Sequence, residues 1–191
     1  MWVIKLGGSL QDSEYLQPWL DAVIEHGRGR AVIVPGGGRF ADAVREAQRR
    51  FGFDDGEAHR AAVRAMEKYA ALLHEYAPQL KPVRSHAEIL AVLEGGGVPL
   101  WQPSEMIIDN PEVPENWNVT SDSLALWLAQ KLGTAGLLLM KSVAVDGQRS
   151  LEELARAGII DSHFPQLFRQ MPVRLAWSAA GDAMRLPELL D

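Results

Sequence analysis

Four short segments carry residue types at spacings suited to handling phosphate. The first is Lys5-Leu6-Gly7-Gly8-Ser9. Paired glycines let backbone N–H groups approach an anion, and a following helix N-terminus adds partial positive charge. Lys5, closing the apolar run before them, would aim an ammonium at the same place. A tight turn beside a solvent-seeking lysine explains the segment too; it has neither the Walker A pattern nor G-x-G-x-x-G spacing. The second is Pro35-Gly36-Gly37-Gly38, between an apolar run and a helical pattern. Three glycines cost chain entropy, so they point to close backbone approach, either to a ligand or within a packed reversal.

The third segment is Asn118-Val119-Thr120-Ser121-Asp122-Ser123-Leu124-Ala125. Thr120 or Ser121 suits a helix cap, and Asp122 exceeds what a cap needs. A carboxylate there could hold one or two lysine ammonium groups over phosphates. The fourth is Lys141-Ser142-Val143-Ala144-Val145-Asp146-Gly147. A lysine after an apolar run is usually a boundary residue. Opposite Lys5 it would be the second cation that a transferring phosphoryl group requires.

These segments need elements to bring them together. Residues 3–6, 31–34, 98–101, 137–140 and 173–177 read as strands, with a brief one at 82–83. Helical spacing covers 13–26, 40–51, 56–76, 85–94 and 120–132, and a helix interrupted near Pro187 covers 182–190. Ser85 and Glu88 form a capping box. Residues 109–116 (DNPEVPEN) read as a loop that could act as a lid. Strand–glycine–helix alternation predicts parallel strands with helical crossovers, and two glycine turns after two early strands would share the carboxyl edge of one sheet.

The chain has 191 residues, 47% hydrophobic and 23% charged, which predicts one soluble domain. With a net charge of −6 and no basic run longer than a pair such as Arg49-Arg50, nucleic acid is not expected as a partner. Cysteine is absent, which excludes disulfides and thiolate chemistry and favours a cytoplasmic setting. The apolar start breaks at Gly7, too early for a signal peptide or membrane span. Asp161 and His163 lack a second histidine at metal spacing, so no protein-held metal is expected. Trp101, Trp117, Trp127 and Trp177 suit core or interface packing.

In this order the four segments resemble the amino-acid kinase superfamily, which includes acetylglutamate, carbamate, aspartate and uridylate kinases. Within it the chain looks most like the small archaeal-type kinases of methanofuran biosynthesis, which convert (5-aminomethylfuran-3-yl)methyl phosphate to the diphosphate. The resembling stretches are residues 33–41, 58–66, 102–104, 117–124 and 160–165.

The resemblance implies a three-layer α/β/α sandwich around an eight-stranded, mostly parallel sheet. It implies one domain over 1–191, with an acceptor half over about 1–116 and a nucleotide half over about 117–191. ATP with Mg²⁺ held mainly by phosphates, a small anionic acceptor and a homo-oligomer are implied as well. Lys5, Asp122 and Lys141 would be catalytic. Gly7, Gly8, Ser9, Ser142, Asp146 and Gly147 would hold the nucleotide phosphates. Gly36, Gly37, Gly38, Arg39, His59, Asn118 and Thr120 would contact the acceptor. The nucleotide side departs from the usual T-D-x-D-G pattern towards the lysine-bearing loop of uridylate kinases. The C-terminal half is also short, with little room after Gly147 for elements flanking an adenine. A uridylate-kinase-like activity, a non-catalytic metabolite sensor and a structural subunit are the competing readings.

Overall fold

A computed structural model describes residues 1–191. The chain begins with strand β1 (Trp2–Leu6), a 3₁₀ turn (Gly8–Leu10), helix α1 (Leu16–His26), β2 (Ala31–Pro35), α2 (Gly38–Phe51) and α3 (Asp55–Tyr76). It continues through β3 (Leu80–Val83), α4 (His86–Glu94), β4 (Val98–Trp101), α5 (Ser104–Ile107), α6 (Ser121–Lys131) and β5 (Gly136–Lys141). The last elements are α7 (Leu151–Arg156), α8 (Phe164–Gln170), β6 (Arg174–Ala179), a 3₁₀ segment (Ala180–Arg185) and α9 (Leu186–Leu189). The six strands form one sheet in the order β3-β4-β2-β1-β5-β6, and every pairing is parallel.

The sheet has six strands rather than the eight implied by the resemblance. Residues 109–116 contain two prolines, which cannot donate to a ladder, and the segment between β5 and β6 forms two short helices instead. The strands present read as continuous apolar runs because helices cover both faces of the sheet. Alternation then sorts the side chains. Trp2, Ile4 and Leu6 of β1 join a core with Trp19 and Leu20 of α1 and Tyr69 and Leu73 of α3. Val3, from the same strand, joins the opposite core with Leu124 and Leu128 of α6. Trp2 and Trp19 tie the end of the chain to the first core, their indole N–H groups donating to Leu190 O at 2.9 Å and Ala180 O at 2.7 Å.

The capping box of Ser85 with Glu88 is present. Helix α1 starts at Leu16 rather than residue 13, because Ser13 is spent on a turn, accepting from Leu16 N at 3.1 Å and, through its Oγ, from Tyr15 N at 3.2 Å. Pro187 opens α9 rather than interrupting it, since its missing N–H costs nothing in a first turn. Trp101 and Trp127 are buried and stack with ring centroids 6.4 Å apart, whereas Trp117 faces a cleft. No helix is long and apolar enough to cross a membrane.

Candidate functional site

Strand alternation builds the centre of the site. In β1, Val3 and Lys5 point to the α6 side; in β5, which pairs in parallel with it, Leu137, Leu139 and Lys141 point the same way. Helix α6 returns across that face and sets Asp122, in its first turn, against both ammonium groups. Lys141 Nζ donates to Asp122 Oδ2 at 2.6 Å, and Lys5 Nζ lies 3.0 Å from Oδ1. The Lys5 contact is an ion pair without hydrogen-bond geometry, so Oδ1 has no aligned donor. All three side chains are almost wholly buried.

Burial would push the Asp122 carboxyl up, but the two ammonium groups outweigh it and hold the group below the ordinary carboxylate range. For Lys141, burial first and the Lys5 ammonium second push the value from 10.5 down to about 8, with Asp122 opposing. Turnover that needs a charged Lys141 is therefore expected to fall as pH rises through about 8. Stability should move the other way. The folded value lies below the unfolded one, so the unfolded chain binds this proton more tightly between about pH 8 and 10.5. Over that window this group makes stability rise with pH. Paired pH profiles of turnover and denaturation midpoint check this; a parallel fall of both would assign the lost activity to unfolding.

The two glycine turns meet above this triad. A Cβ on Gly8 would lie 2.2 Å from Gly38 N, and one on Gly36 would lie 2.4 Å from Gly8 N. Gly38 also needs φ +52, a conformation side chains rarely adopt. The turns thus touch backbone to backbone, and α2 begins at their junction with its N-terminus toward the cleft. Gly36→Ala is expected to lower stability by about 1–3 kcal/mol, because backbone atoms cannot step aside as a flexible side chain can. Urea denaturation measures this; an unchanged midpoint would show that the turns separate freely.

The cleft has a volume of about 420 Å³. Its remote wall is made by two helices that each show an i, i+3, i+4, i+7 face: Gly38, Ala41, Asp42 and Arg45 of α2, and His59, Ala62, Val63 and Met66 of α3. Trp117 closes it. The Arg45 guanidinium stacks 4.5 Å from the Trp117 ring centroid, and the Trp117 indole N–H donates to Gln48 Oε1 at 2.6 Å. His59 is buried, with Nδ1 3.2 Å from Asn116 O and Nε2 unpartnered. Burial lowers its pKa. Residues 109–116 are held by side chains: Glu115 pairs with Arg60 and accepts from Asp109 N at 3.1 Å, while Lys131 Nζ lies 2.6 Å from Glu112.

Of the residues singled out in the sequence, Lys5, Gly7, Gly8, Ser9, Gly37, Gly38, His59, Thr120, Asp122, Lys141 and Ser142 line this one cleft. Gly36, Arg39, Asn118, Asp146 and Gly147 are not in its lining. Gly36 sits behind the turn against Gly8. Arg39 points outward, 3.6 Å from Asp12, and Asn118 accepts from the Ser162 hydroxyl at 2.9 Å. Asp146 closes a turn of its own, accepting from Gln148 N at 2.9 Å. Arg45 and Asp42 were missed, and Trp117, expected in core or interface packing, lines the cleft instead. The helical face that starts at Gly38 would have pointed to Arg45 rather than Arg39.

Residues 1–147 match the amino acid kinase family, and the chain belongs to that family. It is 25% identical over 144 residues to the [5-(aminomethyl)furan-3-yl]methyl phosphate kinase of Methanocaldococcus jannaschii. That match covers 75% of this chain and 66% of the relative, just under two thirds of its length. Two solved structures share the fold. Uridylate kinase from Archaeoglobus fulgidus has a TM-score of 0.70 at 15% identity, covering 99% of this chain and 94% of that one. UMP kinase from Ureaplasma parvum has a TM-score of 0.72 at 14% identity, covering 100% and 95%.

Proposed function

We propose that the chain transfers the γ-phosphoryl group of Mg·ATP to a small anionic acceptor, and that the acceptor is (5-aminomethylfuran-3-yl)methyl phosphate. The observation that carries the reading is one buried carboxylate holding two ammonium groups beneath two touching glycine turns. An acceptor phosphate oxygen is already deprotonated, so the reaction needs no general base. It needs positive charge to offset repulsion between donor and acceptor as the new P–O bond forms and the bond to the ADP oxygen breaks. Lys5 and Lys141 supply that charge, and Asp122 holds them.

Gly7, Gly8 and Ser9 offer backbone and hydroxyl donors to the transferring group. Gly37 and Gly38 border the acceptor, as does His59, whose Nε2 has no partner within the protein. Residues 1–116 form the acceptor half and 117–191 the nucleotide half, with Ser142 on the nucleotide side. His, Asp and Glu form no cluster of three suited to a metal, and Asp122 is committed to the lysines. Mg²⁺ would enter as part of the substrate, carried by phosphate oxygens.

The acceptor assignment draws on the relative in Methanocaldococcus jannaschii and on the slot between α2 and α3. Ala62, Val63, Met66 and Trp117 offer apolar surface for a small ring there. ADP release by the purified protein, measured with the furan phosphate, UMP, glutamate and aspartate in turn, tests it. The furan phosphate is expected to be much the fastest. UMP as the better acceptor would overturn the substrate but not the kinase reading, and it is the outcome that the lysine-bearing loop after β5 favours. No ADP with any acceptor would favour a sensor.

A further inference from the structure

The carboxylate of Asp161 stands under the first turn of α6 and accepts five hydrogen bonds. Thr120 N and Thr120 Oγ1 donate to its Oδ2 at 2.9 Å each, and Ser123 N donates to the same oxygen at 3.0 Å. Ser123 Oγ donates to Oδ1 at 2.5 Å and Phe164 N at 3.0 Å. Thr120 occupies the N-cap position of α6 yet makes no side-chain cap bond. Asp161, from a distant turn, caps the helix in its place. Three of the five donors are backbone N–H groups, which can only donate and so favour the ionised carboxylate.

We propose that Asp161 is a positioning residue for phosphoryl transfer. It fixes the first turn of α6 so that Asp122 reaches both ammonium groups, and its charge balances the floor of the cleft. The proposal rests on the kinase reading above. Asp122 lies between Thr120 and Ser123, so the residues that Asp161 grips bracket the one that holds the lysines. Two ammonium groups on a single carboxylate leave one uncompensated positive charge, which a buried site tolerates poorly.

The charged groups facing Lys141 are Lys5 from β1, Asp122 from α6 and Asp161 from the turn before α8, and both carboxylates raise its hold on the proton. Asp161 carries a cost for standing there, since burial and the Asp122 charge push its own pKa up. A residue needed only to cap a helix could sit farther from a second carboxylate.

Asp161→Asn keeps the shape and removes the charge. Ser123→Ala keeps the charge and removes the shortest of the five contacts. Asp161→Asn is expected to lower kcat about tenfold or more, as for a misplaced catalytic group, with KM for the acceptor little changed. Its alkaline limb should move about half a pH unit or more towards lower pH. Ser123→Ala should lower kcat without moving that limb. Wild-type kcat and limb in a folded Asp161→Asn protein would overturn the proposal. If that variant does not fold, wild-type kcat in Ser123→Ala overturns it. Should the wild type release no ADP with any acceptor, the kinase reading fails separately. Titration of the Lys141 ammonium by NMR in the unliganded proteins then decides the charge part: a lower midpoint in Asp161→Asn supports it, and an unmoved one overturns it.

Discussion

Replacing Lys5 by Met is expected to lower turnover about a hundredfold or more while leaving the fold nearly intact. A hundredfold corresponds to about 2.7 kcal/mol of lost transition-state stabilisation, the size expected when one preorganised donor to developing charge is removed. The fold should survive because Asp122 keeps its 2.6 Å bond to Lys141 when Lys5 is gone. No buried charge is left alone, and Met fills much of the volume of the lysine stem. Denaturation midpoint and turnover measured on the same preparation separate the two effects. Turnover near that of the wild type would mean that Lys5 merely ends a strand and meets Asp122 incidentally. A large loss of both activity and stability would mean that the ammonium is a structural tie.

The meeting of Lys5 with Lys141 was legible in the sequence. Both end apolar runs that read as strands of one parallel sheet, which sets both at its carboxyl edge; that they share one face comes from the register of β1 with β5. Asp122 in a first turn completed the set. The glycine turns were legible as a pair because each follows a strand. That they touch one another, with Gly36 supporting Gly8 from behind, depends on contacts across 28 residues, which spacing does not reveal. Arg39 drew attention by adjacency to the glycines, although helix geometry turns it towards Asp12 and brings Arg45 to the cleft instead. Asp161 was read for metal spacing and as part of the resembling stretch 160–165, without a role of its own. Its work lies 38 and 41 residues back along the chain, at Ser123 and Thr120, and no local pattern announces such a cap. The short helices α7 and α8 escaped because six or seven residues show too little periodicity. Residues 109–116 looked like a lid from their prolines. The bonds from Arg60 and Lys131 that hold them come from other elements.

Removing the shared carboxylate should do more damage than removing either lysine. Asp122→Ala leaves two ammonium groups buried side by side with no counter-charge between them. Breaking a buried pair by deleting one partner typically costs about 3–5 kcal/mol. Here the loss is limited by the proton that Lys141 can shed, because its value already stands at about 8 and must fall further without Asp122. The deficit therefore depends on pH. At pH 6 the folded variant must either keep both lysines charged and buried or release a proton that the unfolded chain would hold, so the full penalty is present. Folded wild type keeps the Lys141 proton up to about 8, so below that value the variant alone gives up a proton that the unfolded chain holds. Above it both folded proteins have released the proton, and that part of the difference disappears. Chemical denaturation at pH 6 and at pH 10 should show a stability loss relative to the wild type that is clearly larger at pH 6. At pH 6, where the wild-type Lys141 is charged, turnover should fall more than a hundredfold, since neither cation is then held in place. A pH-independent stability loss would mean that Asp122 matters through packing at the start of α6 rather than through charge. The two lysines would then be neighbours of a cap, not members of a site.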